Sequence, residues 1–283
     1  MKLKLLTFLL MAVLFASCGG DQQSTAPEAK DSLPADTQQG TEINKEAEGK
    51  FDITIANIPP PFLIMDVISG SGMSFNKQLV NSFENSSNYS TARQKALNFG
   101  VYNIDLGYVV AYDQKQEVMK YIAVNSKLAE DIGAGPMFND IASQAAVENS
   151  LNNRDSMLAL LSQAYEASDK FLRNNERLVA ATHVLIGGWV ECNHILLQLI
   201  NGAPRNKKNE VLYDKVWEQR AVINDIMELI ALHKNDAEFK NLQDGLAEVQ
   251  KVFAELKVKE DLTRERVAAL QEKIAAVRTM IVK

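Results

Sequence analysis

The feature that most constrains this chain lies near its end. Phe239, Leu242, Leu246, Val249, Phe253 and Leu256 step by three and four residues without a miss, and Val267, Leu270, Ile274, Val277 and Ile281 do the same. At 3.6 residues per turn that spacing draws one apolar stripe along a helix, whereas a strand would turn half of these side chains to the opposite face. Between the stripes lies KVKEDLT, where Thr263 can cap the second helix and Leu262 can staple onto Val267. Two such helices joined by a break of about six residues make an antiparallel hairpin. Each is only about three heptads long, so packing within a bundle is expected rather than a free coiled coil.

Helical periodicity runs back to Ser90. It stops at a Gly-rich, Pro-containing break near 133–136, then resumes as a short helix near 139–149. Longer helices are predicted near 153–173, 175–201, 207–234, 236–256 and 263–282. Upstream, FDITIANIPPPF alternates Phe51, Ile53 and Ile55 with polar residues before three prolines, which predicts an extended arm over 51–62. SGSG at 69–72 interrupts a short helix. The fold expected is all-α: a multi-helix antiparallel bundle with an extended N-terminal arm and a disordered tether.

The first eighteen residues, MKLKLLTFLLMAVLFASC, have two lysines, then an apolar run from Leu5 to Phe15 that is too short to span a bilayer. FASCGG at the end of this signal resembles a bacterial lipobox, in which the signal is cut before the cysteine and Cys18 is acylated. More than one acyl chain is needed for a stable anchor, and a lipobox cysteine carries several. Residues 19–50 are rich in Pro, Gln, Ser, Thr and Glu and poor in large apolar groups, the composition of a solvated tether that would span roughly 30 Å as a coil. The domains are thus 1–18 signal, 19–50 tether and 51–283 helical domain.

Net charge is −6, and removing Lys2 and Lys4 with the signal leaves −8, so electrostatics favour no nucleic-acid partner. Of the two cysteines, lipidation consumes Cys18 and leaves Cys192 alone. No internal disulfide and no thiol-rich zinc shell can then form. The expected partners are the lipid bilayer, through acylated Cys18, and an envelope protein or small ligand. No cofactor is expected.

LIGGWVECNH at 185–194 sets Glu191 three residues before His194, the spacing of carboxylate-bridged di-iron bundles. On a helix, Leu178, Leu185, Trp189, Cys192, Leu196 and Leu199 form the apolar stripe. His183, Gly187, Glu191, His194, Gln198 and Asn201 gather on the other side. A second Glu-x-x-His motif is missing and the three histidines contain no tight pair. No metal site is therefore expected, and Glu191 and His194 read as a solvent face.

In ALNFGVYNIDLGYVVAYDQ (96–114), Tyr102, Asp105, Val109 and Tyr112 share one helical face, while Gly100 and Gly107 fall on another, where a neighbouring backbone can approach closely. Tyr102, Asp105 and Tyr112 are candidate ligand-binding residues. A buried Asp–Tyr hydrogen-bond cluster that sets helix register is the other reading. No phosphate-binding Gly-rich loop, G-x-S-x-G elbow or H-E-x-x-H is present, so no catalytic residues are nominated. DSL at 31–33 and DSM at 155–157 resemble the Asp-Ser/Thr-apolar acceptor of bacterial O-glycosylation; Ser32 is the candidate, and Ser156 reads as a helix cap.

IPPPF (58–62), FNKQLVN (75–81), Gly100, Tyr102, DLGY (105–108), Tyr112 and Gln114 resemble a family of helical Bacteroidetes lipoproteins over residues 51–133. The resemblance implies a helical, lipid-anchored protein of the cell envelope, at the outer membrane facing the periplasm, and supplies no functional residues. The function expected is non-enzymatic binding of a protein partner or small ligand. The alternatives are a structural or assembly protein using the 236–282 hairpin and a metal-dependent enzyme.

Overall fold

The computed structural model describes residues 61–174, 177–233 and 237–283, together with Gly49, Asp52 and Ile53. Among the described residues there are ten α-helices and no strand. They are α1 (Pro61–Gly70), α2 (Ala92–Ala111), α3 (Lys115–Asp131), α4 (Gly135–Ile141), α5 (Gln144–Ser150), α6 (Arg154–Asn174), α7 (Leu178–Asn201), α8 (Glu210–Ala231), α9 (Ala237–Glu255) and α10 (Arg264–Val282).

Local chemistry sets the ends of these elements. Thr91 opens α2 with a capping box: its hydroxyl accepts from Gln94 N at 3.1 Å while the Gln94 side chain accepts from Thr91 N, also at 3.1 Å. Thr263 caps α10 as its position suggests, accepting from Arg266 N, and Leu262 and Val267 are both buried. Gly133, at φ +80°, closes α3 in the left-handed conformation that a Cβ disfavours. The predicted helix at 139–149 is two helices, α4 and α5, with Ala142 and Ser143 between them. The helix predicted from 207 starts at Glu210, because Asn206 and Asn209 first fold a turn in which each side chain accepts the other's backbone N–H. Ser156 is not the cap of α6; the Asn153 side chain accepts from Ser156 N at 2.9 Å.

The arm expected over 51–62 fares differently. Asp52 and Ile53 have helical backbone, and α1 already begins at Pro61, while 54–60 lie outside the described residues. Alternating side chains make a strand only where a neighbouring strand can take the backbone hydrogen bonds, and a helical bundle provides none. Asp52 instead ion-pairs with Arg173 of α6.

Helix α7 is the axis of the fold, touching α1, α2, α6, α8 and α10. Its neighbour α2 packs along it and also meets α1, α3, α6 and α10. Past their first turns both helices are buried on nearly every side. Where they cross, Gly100 faces Val184 and Gly188, and Gly187 faces Leu97, so closely that a Cβ on either Gly100 or Gly187 would land on the partner's backbone. The helices α9 and α10 form the predicted hairpin, and every side chain of both apolar stripes is buried within the chain. Any surface that the hairpin offers to another protein is therefore its outer face, which is polar apart from Val258 and Met280.

Candidate functional site

The two stretches singled out in the sequence meet in the core. Asp105 is the lone charge among residues 96–111 of α2, and Glu191 is the lone carboxylate in α7. Both are fully buried, at 0% exposure. Their carboxyl groups lie within hydrogen-bonding reach of each other. Arg278 of α10 completes the cluster with a two-pronged contact: its Nε donates to Glu191 Oε2 at 2.6 Å and its Nη2 to Glu191 Oε1 at 2.8 Å. This fork-on-carboxylate geometry is the strongest form of side-chain ion pair.

The charges balance if Asp105 holds a proton. Glu191 spends both oxygens on the guanidinium, while Asp105 Oδ2 accepts from the Asn81 N–H at 3.0 Å. Asp105 Oδ1 has no other hydrogen-bond partner and is free to carry hydrogen toward Glu191. Burial, with the Glu191 charge next in weight, pushes the Asp105 carboxyl well above the ordinary carboxylate range. His194, one turn beyond Glu191, is pushed down to about 4 by burial and stays neutral.

A strap, residues 71–90 between α1 and α2, lies over the cluster and carries two short 3₁₀ turns, Lys77–Leu79 and Phe83–Asn88. Polar side chains of the helices hold its backbone. Tyr102 donates to Ser82 O at 2.7 Å, Tyr121 to Asn81 O at 2.8 Å and Tyr112 to Met73 O at 2.8 Å, while Tyr108 accepts from Asn76 N at 3.0 Å. The Asn81 side chain adds a bond to Tyr89 at 2.8 Å. The strap end and α2 in turn serve α10: Asn98 and Tyr89 donate to the carbonyls of Ile281 and Val282, which a helix C-terminus leaves without internal partners.

The candidate ligand residues Tyr102, Asp105 and Tyr112 therefore contact the strap backbone, with Tyr102 and Asp105 fully buried and Tyr112 partly so. The solvent-face reading of Glu191 and His194 is corrected, since they are 0% and 8% exposed. Helical periodicity ranks faces by apolarity, and it cannot show that α10 and the strap supply polar partners for the less apolar one. Sequence reasoning also missed Arg278, although a signal existed: it lies four residues after Ile274 and three before Ile281, on the stripe edge of α10. Asn81 ends the FNKQLVN motif, which carried no role for it, and nothing in the sequence pointed to Tyr89 or Tyr121.

The remaining sequence candidates fall elsewhere. His183 and His233 both stack on Phe239, with ring centroids 4.3 and 4.9 Å away. Among the described residues no three His, Cys, Asp or Glu side chains are grouped to hold a metal ion. No described helix is long and apolar enough to cross a membrane. Cys18 and Ser32 lie outside the described residues. Cys192 is a buried free thiol pushed up to about 12 by burial. Native protein should leave Cys192 unlabelled by iodoacetamide over hours, while the same protein in denaturant labels fully; mass spectrometry reads the difference.

One open cleft, of about 410 Å³, lies at the far end of α7. Ile200, Leu262 and Val267 supply apolar wall, and Asn201, Arg205, Glu260 and Arg264 supply polar groups. Arg205 is held by Glu210 in a two-pronged pair of 2.6 and 2.7 Å and lies 4.1 Å above the Tyr213 ring. Arg264 is exposed and makes no ion pair with the described residues.

Fold and site together define an all-α bundle built around a closed acid–arginine cluster, with an open amphipathic cleft at one end. Compared with known proteins, the chain matches no family model, no curated protein and no solved structure.

Proposed function

We propose that this chain is a lipid-anchored protein of the cell envelope, without catalytic activity, that binds a small ligand in the cleft at the far end of α7. The observation that carries the reading is the contrast between its two polar sites. The acid pair that could do proton chemistry is sealed beneath the strap, whereas the cleft of about 410 Å³ is open and large enough for a small molecule. An apolar wall beside an uncommitted guanidinium suits a ligand with an apolar body and an anionic head. The signal and FASCGG motif support anchoring through Cys18, and the tether sets the domain off the membrane.

Native mass spectrometry of the protein purified under mild conditions from the envelope of an exporting cell tests both halves. The expected wild-type protein carries acyl mass on Cys18 and retains a non-covalent ligand. Ala203→Trp, which fills the cleft mouth, should lower ligand occupancy about tenfold or more while leaving the acyl mass in place. A ligand-free wild type, or equal occupancy in the variant, would rule out the cleft. Unmodified Cys18 would rule out the anchor.

A further inference from the structure

We propose that the Asp105–Glu191 pair binds one proton, and that this proton holds the strap 71–90 shut over the core. The claim stands apart from the cleft and rests on different residues. With the proton in place, Asp105 donates to Glu191, Glu191 pairs with Arg278, and the cluster is neutral. When the proton leaves to solvent, two buried carboxylates face one guanidinium and the cluster carries one net negative charge. Like charges in a low-dielectric site repel, and each is short of hydration. The relief available is water, so some cover has to lift.

The strap is the cover that lifts most easily. Separating α2 from α7 would break their glycine-mediated contact and open the main core. Moving α10 would detach Arg278, the one cation in the cluster. The strap has only two 3₁₀ turns of its own, and Leu79, Val80 and Tyr89 anchor it in the core. Its backbone is held by individual hydrogen bonds, one of which, Asn81 N–H to Asp105 Oδ2, ends on the titrating carboxyl itself. Segments with few helical hydrogen bonds open locally at lower free energy than packed helices.

No other nearby group competes for this titration. From α10, Arg278 stays charged, because Glu191 raises it. His194 on α7 is held neutral well below neutral pH. Burial raises Tyr102 on α2, Tyr121 on α3 and Tyr89 at the strap end, so these phenols keep their hydrogens. Glu117 on α3, beyond Tyr121, is lowered by Lys77 and stays ionised. For Asp105 the sign is clear: its folded value is raised, so its contribution to stability is complete below the unfolded value of about 4 and is lost as pH rises through the folded value.

Amide hydrogen exchange on the folded chain, corrected for intrinsic base catalysis and followed from about pH 6 to about pH 9, tests the proposal. Wild-type protection at Asn81 and its strap neighbours should fall about tenfold or more across the range, while protection in the middle of α7 holds. Asp105→Asn keeps the shape and the hydrogen bonds without the titration, and its strap should stay protected throughout. Glu191→Gln leaves one carboxylate for one arginine and should be equally flat, which keeps the test alive if either variant folds poorly. Isotope-edited infrared spectra should show a protonated carboxyl in the wild type at neutral pH that Asp105→Asn lacks. A wild-type strap indifferent to pH, a pH dependence that survives in either folded variant, or no protonated carboxyl in the wild type overturns the proposal.

Discussion

Replacing Arg278 with methionine is expected to cost about 3–5 kcal/mol of folding stability, the usual penalty for breaking a buried ion pair from one side. The cause is the group left behind. Glu191 is fully buried, and both of its oxygens take hydrogen bonds from the Arg278 guanidinium. Without Arg278 a carboxylate sits beside Asp105 in a dry core with no cation, and one more proton must be taken up to neutralise it. Glu191→Met should also destabilise, because Arg278 loses both acceptor oxygens of its two-pronged contact, and Asp105, although it can balance the charge, is already engaged by the Asn81 N–H. The double variant Glu191→Met/Arg278→Met removes both charges and should lose much less than either single one, as replacing a buried pair by apolar groups is often near neutral. Urea unfolding followed by circular dichroism measures all three. A double variant as unstable as the sum of the singles would show that packing around these side chains, rather than charge, is what they supply.

The second large effect comes from two adjacent glycines with opposite expectations. At Gly187 an added Cβ would land on the Leu97 carbonyl oxygen, a backbone atom that cannot swing aside, so α2 and α7 would have to part along their contact. Gly187→Ala should cost about 3 kcal/mol or more, at the upper end of overpacking penalties. At Gly188 the nearest atom to an added Cβ is the Gly100 carbonyl oxygen at 3.5 Å, an ordinary contact. Gly188→Ala should be neutral or stabilising by up to about 1 kcal/mol, since alanine is the better helix former. Thermal unfolding of the pair separates close packing from helix propensity; equal effects at the two positions would contradict the crossing geometry.

Much of this architecture was legible because helix formation is written in local spacing. The stripes of α9 and α10, the Thr263 cap and the Gly133 stop each depend on residues within a turn or two of one another. The close approach at Gly100 was also legible, as a helix-interior glycine carries an energetic cost that a packing contact can justify. The partner glycine, Gly187, was assigned to the polar side of α7, since no local pattern tells which helix arrives there.

The site was half legible. Asp105 stood out for the face it shares with Tyr102 and Tyr112, and Glu191 for its spacing to His194, yet the two acids lie 86 residues apart and no local pattern joins them. An isolated buried charge demands a partner, but the demand does not name it. By itself the sequence determined where most of the helices lie and some of their ends, because these depend on neighbours three and four residues away, while the breaks at 112–114 and 142–143 were not legible in it. Which acid meets which, that Arg278 reaches them from α10, and that the strap closes over all three were decided by tertiary packing alone, since burial is a property of what covers a residue and not of the residue.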